Sequence, residues 1–193
     1  AHAELTDGVT PVAVRSSATT EDTEDASFAG MQDTFLWVLT GAEMVLNVRE
    51  CWGSLYSVES MTYRRKQDFP EDGVAMAVVI QAMVDARCAG VMFTRSPTTG
   101  DKSVITIEGA PGLGSAVVSG EVTPDRWVLG PIHRALRVRD ISDKHAKQVP
   151  AEGGRIKEVP LSGGERTQPC LSDEELQALR DVGRKVERHY GKQ

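Results

Sequence analysis

Arg15 follows the apolar run Val12-Ala13-Val14 and precedes Ser16-Ser17-Ala18-Thr19-Thr20-Glu21-Asp22. A guanidinium offers a planar fork of donors, and small hydroxyls add neutral donors beside it, a combination that suits phosphate oxygens. Arg15 is therefore a candidate phosphate clamp, with an ion pair to Asp22 or Asp25 as the alternative. Ser16 and Ser17 either position phosphate or end a strand, since serines at turns bond their own backbone. The acidic run Glu21, Asp22, Glu24 and Asp25 reads as a solvated helix start rather than a magnesium site. Gly112-Leu113-Gly114 lacks the spacing of a phosphate loop or a dinucleotide fingerprint and reads as a tight structural turn. His2, His133, His145 and His189 have no small-residue loop around them, and no Ser/His/Asp order or metal-ligand spacing stands out.

The elements that must position these groups are legible from periodicity. Val12 to Val14 reads as a buried strand ending at the guanidinium, and Thr34 to Leu39 as a second, with the hydroxyls and acidic residues in the loop between them. From Gly41, the residues Met44, Val45, Val48, Trp52 and Leu55 recur at helical spacing, and a second helical stretch runs from Met61 to Lys66 before Pro70. Strands are expected over Ala75 to Gln81, Gly90 to Thr94 and Val104 to Glu108. Arg126 to Leu129 and Ala135 to Val138 read as a hairpin around Gly130-Pro131, and Ser142 to Pro169 as irregular or short-stranded. A final helix starts at Ser172, with Glu175 in the reciprocal capping position and Leu176, Leu179, Val182 and Val186 on one apolar face.

Composition narrows the function classes. The 193 residues, 40% of them hydrophobic, suffice for one domain or a two-lobed unit. A net charge of −6 argues against a surface that coats a polyanion, so nucleic acid is not an expected partner. Cys51, Cys88 and Cys170 are widely spaced and odd in number, which suggests neither a disulfide framework nor a zinc site and points to a reducing cytoplasm. No apolar run approaches the roughly 20 residues of a membrane helix, and residues 1–10 do not read as a signal peptide. A soluble, cytoplasmic protein without a membrane partner is the expectation.

The stretch from Val14 to Thr34, including Ser27-Phe28-Ala29-Gly30-Met31-Gln32-Asp33-Thr34, resembles the VRSSA…ED…SFAGQ signature of a nucleotide-binding domain. That domain is shared by phosphoenolpyruvate synthase, pyruvate phosphate dikinase, rifampicin phosphotransferase and phenylphosphate synthase, and belongs to the ATP-grasp group. Further segments match in order: Val79-Ile80-Gln81-Ala82-Met83-Val84, then Gly90 to Gly100, then Gly112-Leu113-Gly114 through Val117 to Asp125. The resemblance covers almost the whole chain. It implies an α+β fold, an ATP-grasp-like mixed β-sheet with flanking helices, as a single partial ATP-binding domain over residues 1–193.

By the same resemblance Arg15 is the clamp on the transferring phosphates of ATP, with Ser16 beside it. Gly30, Gln32 and Thr34 fall on the family's glycine-containing phosphate loop, where a missing Cβ lets backbone N–H groups approach anionic oxygens. Met31 stands where the family more often has glutamine. Gln81, Met83 and Val84 fall on the hinge that holds adenine through backbone groups and apolar side chains, core packing being the alternative. Ser115 stands where the family commonly has glutamate after the GLG turn, with Glu108 and Glu121 close in sequence as possible substitutes.

The implied activity is that of the ATP-binding core of a phosphoenolpyruvate synthase-like dikinase. A phosphoryl group from ATP passes through a phosphohistidine to pyruvate, releasing AMP and phosphate. Phenylphosphate synthase, rifampicin phosphotransferase, or a degenerate non-catalytic nucleotide-binding or interaction module stay open as alternatives. The implied partners are ATP and a phosphohistidine domain of the same protein or of a partner subunit. The family's lysine-bearing N-terminal lobe and its DIEW and QxR segments have no match here. Mg2+ is thus expected to find its ligands outside these residues, and the fragment by itself to be inactive.

Overall fold

In the computed structural model, which describes residues 10–19, 34–67, 74–130 and 135–191, Val12 and Val14 are wholly buried on strand β1 (Val12–Ala18). This strand is the centre of a three-stranded sheet, between β2 (Thr34–Val38) and β3 (Met76–Ala82), and pairs antiparallel with both. It extends four residues beyond the expected end at Val14. Arg15, Ser16, Ser17 and Ala18 lie within the strand, opposite Val79, Val78, Ala77 and Met76. Pairing with a strand some sixty residues away overrides the weak strand preference of serine and alanine, so the hydroxyls belong to the sheet rather than to a loop.

Two helices follow β2. The first, α1 (Gly41–Ser54), opens on a capping box in which Glu43 N–H donates to Thr40 Oγ1 at 3.2 Å and Thr40 N–H to Glu43 Oε2 at 3.2 Å. Its inner stripe is Met44, Val48 and Cys51, and it packs with Phe35, Met76, Val78 and Ile80 against Val12 and Val14. Val45 and Trp52, expected on that stripe, are 55% and 50% exposed. A helix laid on one sheet face buries a narrower arc than the apolar residues of this sequence span. The second helix, α2 (Val58–Lys66), starts three residues before the expected Met61 because the Ser57 hydroxyl caps it, accepting from Ser60 N–H at 3.1 Å.

The chain divides into two compact units. One comprises Ala1–Val84 with Pro150–Ile156, and the other Asp85–Val149 with Lys157–Gln193. The second is built on a four-stranded sheet of order β4 (Cys88–Phe93), β5 (Ile105–Pro111), β6 (Asp125–Leu129), β7 (Leu136–Asp140), with each neighbouring pair antiparallel. The β6–β7 hairpin is where the sequence predicts it. Ile105, Ile107, Trp127 and Leu129 form the core with Cys170 and Leu176, each large apolar side chain contributing about 1.5–3 kcal/mol on burial. A short helix α3 (Ser115–Val118) follows β5, and β8 (Ala146–Ala151) pairs with β9 (Arg155–Pro160). The single isolated bridge among the described residues, Gly112 to Gln148, is parallel.

The last helix, α4 (Asp173–Tyr190), carries the expected capping box of Ser172 and Glu175. Its buried face differs from the expected one. Leu176, Arg180 and Gly183 are buried, whereas Val182 and Val186 are 54% and 48% exposed. Gly183 explains the rotation: a Cβ there would stand 3.0 Å from Met92 Cε, so the helix approaches β4 along a side without a side chain.

Candidate functional site

The alternation of β1 sorts its residues onto two faces. Val12 and Val14 point at α1, and Ser16 shares their parity. Arg15 and Ser17, both exposed, share the other face with Ala13. On β3 the same face carries Ala77, Val79 and Gln81, which stand opposite Ser17, Arg15 and Ala13. On β2 it carries Thr34, the Cα partner of Arg15, because its neighbour Phe35 turns to the core with Val14.

Arg15 thus has Thr34 on one side and Val79 on the other, and its Nη1 donates to Gln81 Oε1 at 3.5 Å on the diagonal. Among the described residues no carboxylate forms an ion pair with it. Asp22 and Asp25, the alternative partners, lie outside the described residues, as do Gly30, Met31 and Gln32. A cation supported by a neutral amide beside a hydroxyl is suited to an anionic oxygen ligand, since among the described residues no carboxylate competes for it.

The hinge residues continue from β3. Gln81 is exposed, Met83 is half-buried, and Val84 is 73% exposed. Met83 N–H donates to Pro11 O at 2.8 Å. That donor is therefore committed to Pro11 and is not free for a ligand. Met83 lies four residues along from Val79, so about 13 Å of extended chain separates it from the Arg15 rung. The structure brings Arg15, Thr34 and Gln81 together, leaves Met83 and Val84 just past the end of β3, and sets Ser16 on the opposite face.

The glycine turn of the second unit is structural, as expected. Gly112 adopts φ +85° and packs on Gln148, whose carbonyl accepts Leu113 N–H at 2.9 Å. Ser115 Oγ donates to Gln148 Oε1, and Gln148 Nε2 donates to Glu121 Oε2 at 2.8 Å. The Glu121 carboxylate therefore reaches the Ser115 position through one amide, while Glu108 faces Arg126 Nε at 3.7 Å. Sequence reasoning assigned Gln148 no part, and its spacing from Ser115 gives no signal.

His145 Nδ1 lies 2.7 Å from Arg166 Nη2. Because arginine can only donate, the ring accepts there. Arg166 also makes a two-pronged pair with Asp143, at 2.7 and 2.6 Å, holding that carboxyl below its ordinary range. His189 stacks edge-on with Tyr190, and His2 and His133 lie outside the described residues. Among the described residues no group of three or more His, Cys, Asp or Glu is arranged to hold a metal ion, and no helix is long and apolar enough to cross a membrane. Two cavities in the second unit, one lined by Glu121 and Lys147 and one by Met92 and Leu179, include none of Arg15, Ser16, Thr34, Gln81, Met83 and Val84.

Over residues 1–193 the chain matches the family described as pyruvate phosphate dikinase, AMP/ATP-binding domain. It is 44% identical over 181 residues to a probable phosphoenolpyruvate synthase of Archaeoglobus fulgidus, covering 94% of this chain and 24% of that protein. It is 47% identical over 182 residues to the probable phosphoenolpyruvate synthase of Methanothermobacter thermautotrophicus, covering 93% and 26%. A rifampicin phosphotransferase of Streptomyces is 41% identical over 179 residues, covering 93% and 20%. The chain spans a quarter or less of the length of most of these curated relatives.

Proposed function

This chain belongs to the pyruvate phosphate dikinase AMP/ATP-binding domain family, and on that premise we propose that it is the ATP-binding part of a phosphoenolpyruvate synthase-like dikinase. In this reading the longer protein moves a phosphoryl group from ATP through a phosphohistidine, on its own domain or a partner subunit, to pyruvate. AMP and phosphate leave. The observation that carries the reading is the Arg15 rung: a guanidinium between Thr34 and Val79, bonded to the neutral Gln81 amide, on the sheet face turned away from α1. Arg15 clamps the transferring phosphates, where a prepositioned cation stabilises charge spread over several oxygens.

Thr34, with Gly30 and Gln32, serves the phosphate end, and Gln81, Met83 and Val84 serve adenine. A magnesium ion would screen the phosphate charges. Among the described residues no group of three or more His, Cys, Asp or Glu is arranged to hold it; following the family resemblance, its ligands are proposed to lie beyond this chain, and no step is drawn through it. The similarity to a rifampicin phosphotransferase supports a second reading in which the acceptor is an antibiotic.

Titration calorimetry of magnesium-ATP into the chain and into Arg15→Ala tests the binding half. Binding weakened at least about tenfold in the variant, the loss of one charge-assisted bond, is the expected result; equal binding overturns the clamp. The longer protein tests the acceptor. AMP formed on adding pyruvate supports the main reading, and AMP formed only with rifampicin selects the second.

A further inference from the structure

Ser16 and Ser17 are adjacent and chemically identical, yet the sheet treats them oppositely. Ser16 shares the parity of Val12 and Val14, and its Cα partner Val78 packs into the cluster beneath α1. Ser17 is exposed on the face of Arg15, and its partner is the small, exposed Ala77, which leaves the hydroxyl uncovered from that side. Residues i and i+2 of a strand lie about 7 Å apart, and the Arg15 guanidinium reaches toward Gln81, away from Ser17, so the two side chains are placed to engage successive groups of one polyanion.

The register also gives this row a direction. Gln81 stands opposite Ala13, and Met83 is bonded to Pro11, so the hinge lies toward the start of β1. Along the strand the order is hinge, then Arg15, then Ser17. From this order we propose that Ser17, and not Ser16, binds the phosphate group farthest from the base and so makes the site prefer a nucleoside triphosphate over the monophosphate. The inference rests on the ATP-binding reading above and adds to it a residue and a polarity. The hydroxyl donates to a terminal phosphate oxygen that AMP does not possess, and Arg15 serves the phosphates nearer the hinge.

The test is to titrate magnesium-ATP and, separately, AMP into the 193-residue chain and its Arg15→Ala, Ser16→Ala, Ser17→Ala and Ser17→Thr variants, each checked for an unchanged melting transition. Ser17→Ala is expected to bind ATP about tenfold more weakly, the loss of one hydrogen bond to a charged group, while AMP affinity stays within about twofold. Ser17→Thr, which keeps the hydroxyl, restores ATP affinity, and Ser16→Ala changes neither ligand. ATP binding within twofold of wild type in Ser17→Ala, or a parallel loss for ATP and AMP, overturns this inference while leaving the Arg15 site standing. Unchanged ATP binding in Arg15→Ala, or none in the wild-type chain, overturns the site and the inference together.

Discussion

Lys144 Nζ lies 2.5 Å from Asp125 Oδ1 with both side chains wholly buried, an ion pair sealed inside the second unit. The carboxylate does more than neutralise the lysine. Oδ1 also accepts Ser142 N–H at 3.0 Å and Oδ2 accepts Cys170 N–H at 3.0 Å, so one side chain satisfies donors on the segments that lead into β8 and α4. Removing either partner strands a buried charge. Lys144→Met and Asp125→Ala are each expected to cost about 3–5 kcal/mol, with Asp125→Ala the worse because it also orphans two backbone donors. Urea denaturation of the two variants measures this; a cost under about 1 kcal/mol for Asp125→Ala would show that water replaces the carboxylate.

Acid should loosen the start of α4. Glu175 is held below its ordinary value of 4.5, first by the backbone N–H of Ser172 and then by Arg87, whose Nη2 lies 2.5 Å away. A carboxyl whose folded pKa is depressed adds stability above its unfolded pKa, and loses it as pH falls through the folded one. The denaturation midpoint should therefore drop between about pH 5 and pH 3. In Glu175→Gln that drop should be shallower, and an identical acid limb in wild type and variant would assign it to other carboxylates.

Two glycines bracket what a methyl group costs here. At Gly112 the backbone is left-handed, with φ +85°, and a Cβ would sit 2.3 Å from the Gln148 carbonyl oxygen, which cannot move without breaking its bond to Leu113. Gly112→Ala is expected to lose at least about 1–3 kcal/mol from strain alone. At Gly183 the obstacle is the flexible end of Met92, at 3.0 Å. Gain of helix propensity, about 1 kcal/mol, offsets most of that contact, so Gly183→Ala should fall within about 1 kcal/mol of wild type. Thermal melts of the pair give the comparison, and equal losses would contradict it.

What the sequence made legible was local. The Ser172–Glu175 cap, the β6–β7 hairpin and the apolar strands are written within a few residues of where they act, and the family was recognisable from an ordered set of segments. What stayed hidden depends on distant pairing. The extension of β1 through Ser16 and Ser17 is imposed by β3, and with it the parity that separates the two hydroxyls. The Asp125–Lys144 pair joins residue types that are ordinarily solvated, and the rotation of α4 follows from a close approach at Gly183. The buried Arg180, whose Nε donates to Gly130 O at 3.2 Å, belongs to the same class.

The Arg15–Gln81 contact offers a sharper probe of the proposed phosphate face than deletion does. Gln81 presents a neutral oxygen to the guanidinium at 3.5 Å. Gln81→Glu replaces the amide with a carboxylate of nearly the same shape, which turns the contact into an ion pair and adds a negative charge on the face assigned to the nucleotide. Exposed pairs of this kind stabilise by only about 0.2–1 kcal/mol, so the melting transition should barely move. Binding should respond much more strongly, because the new carboxylate both occupies the clamp and repels the phosphates, an unfavourable term of about 1–4 kcal/mol at close range near a protein surface. Magnesium-ATP affinity is thus expected to fall at least about tenfold, and the loss to shrink as salt is raised. A variant that bound ATP as well as wild type at low salt would mean that Arg15 and the nucleotide do not share this face.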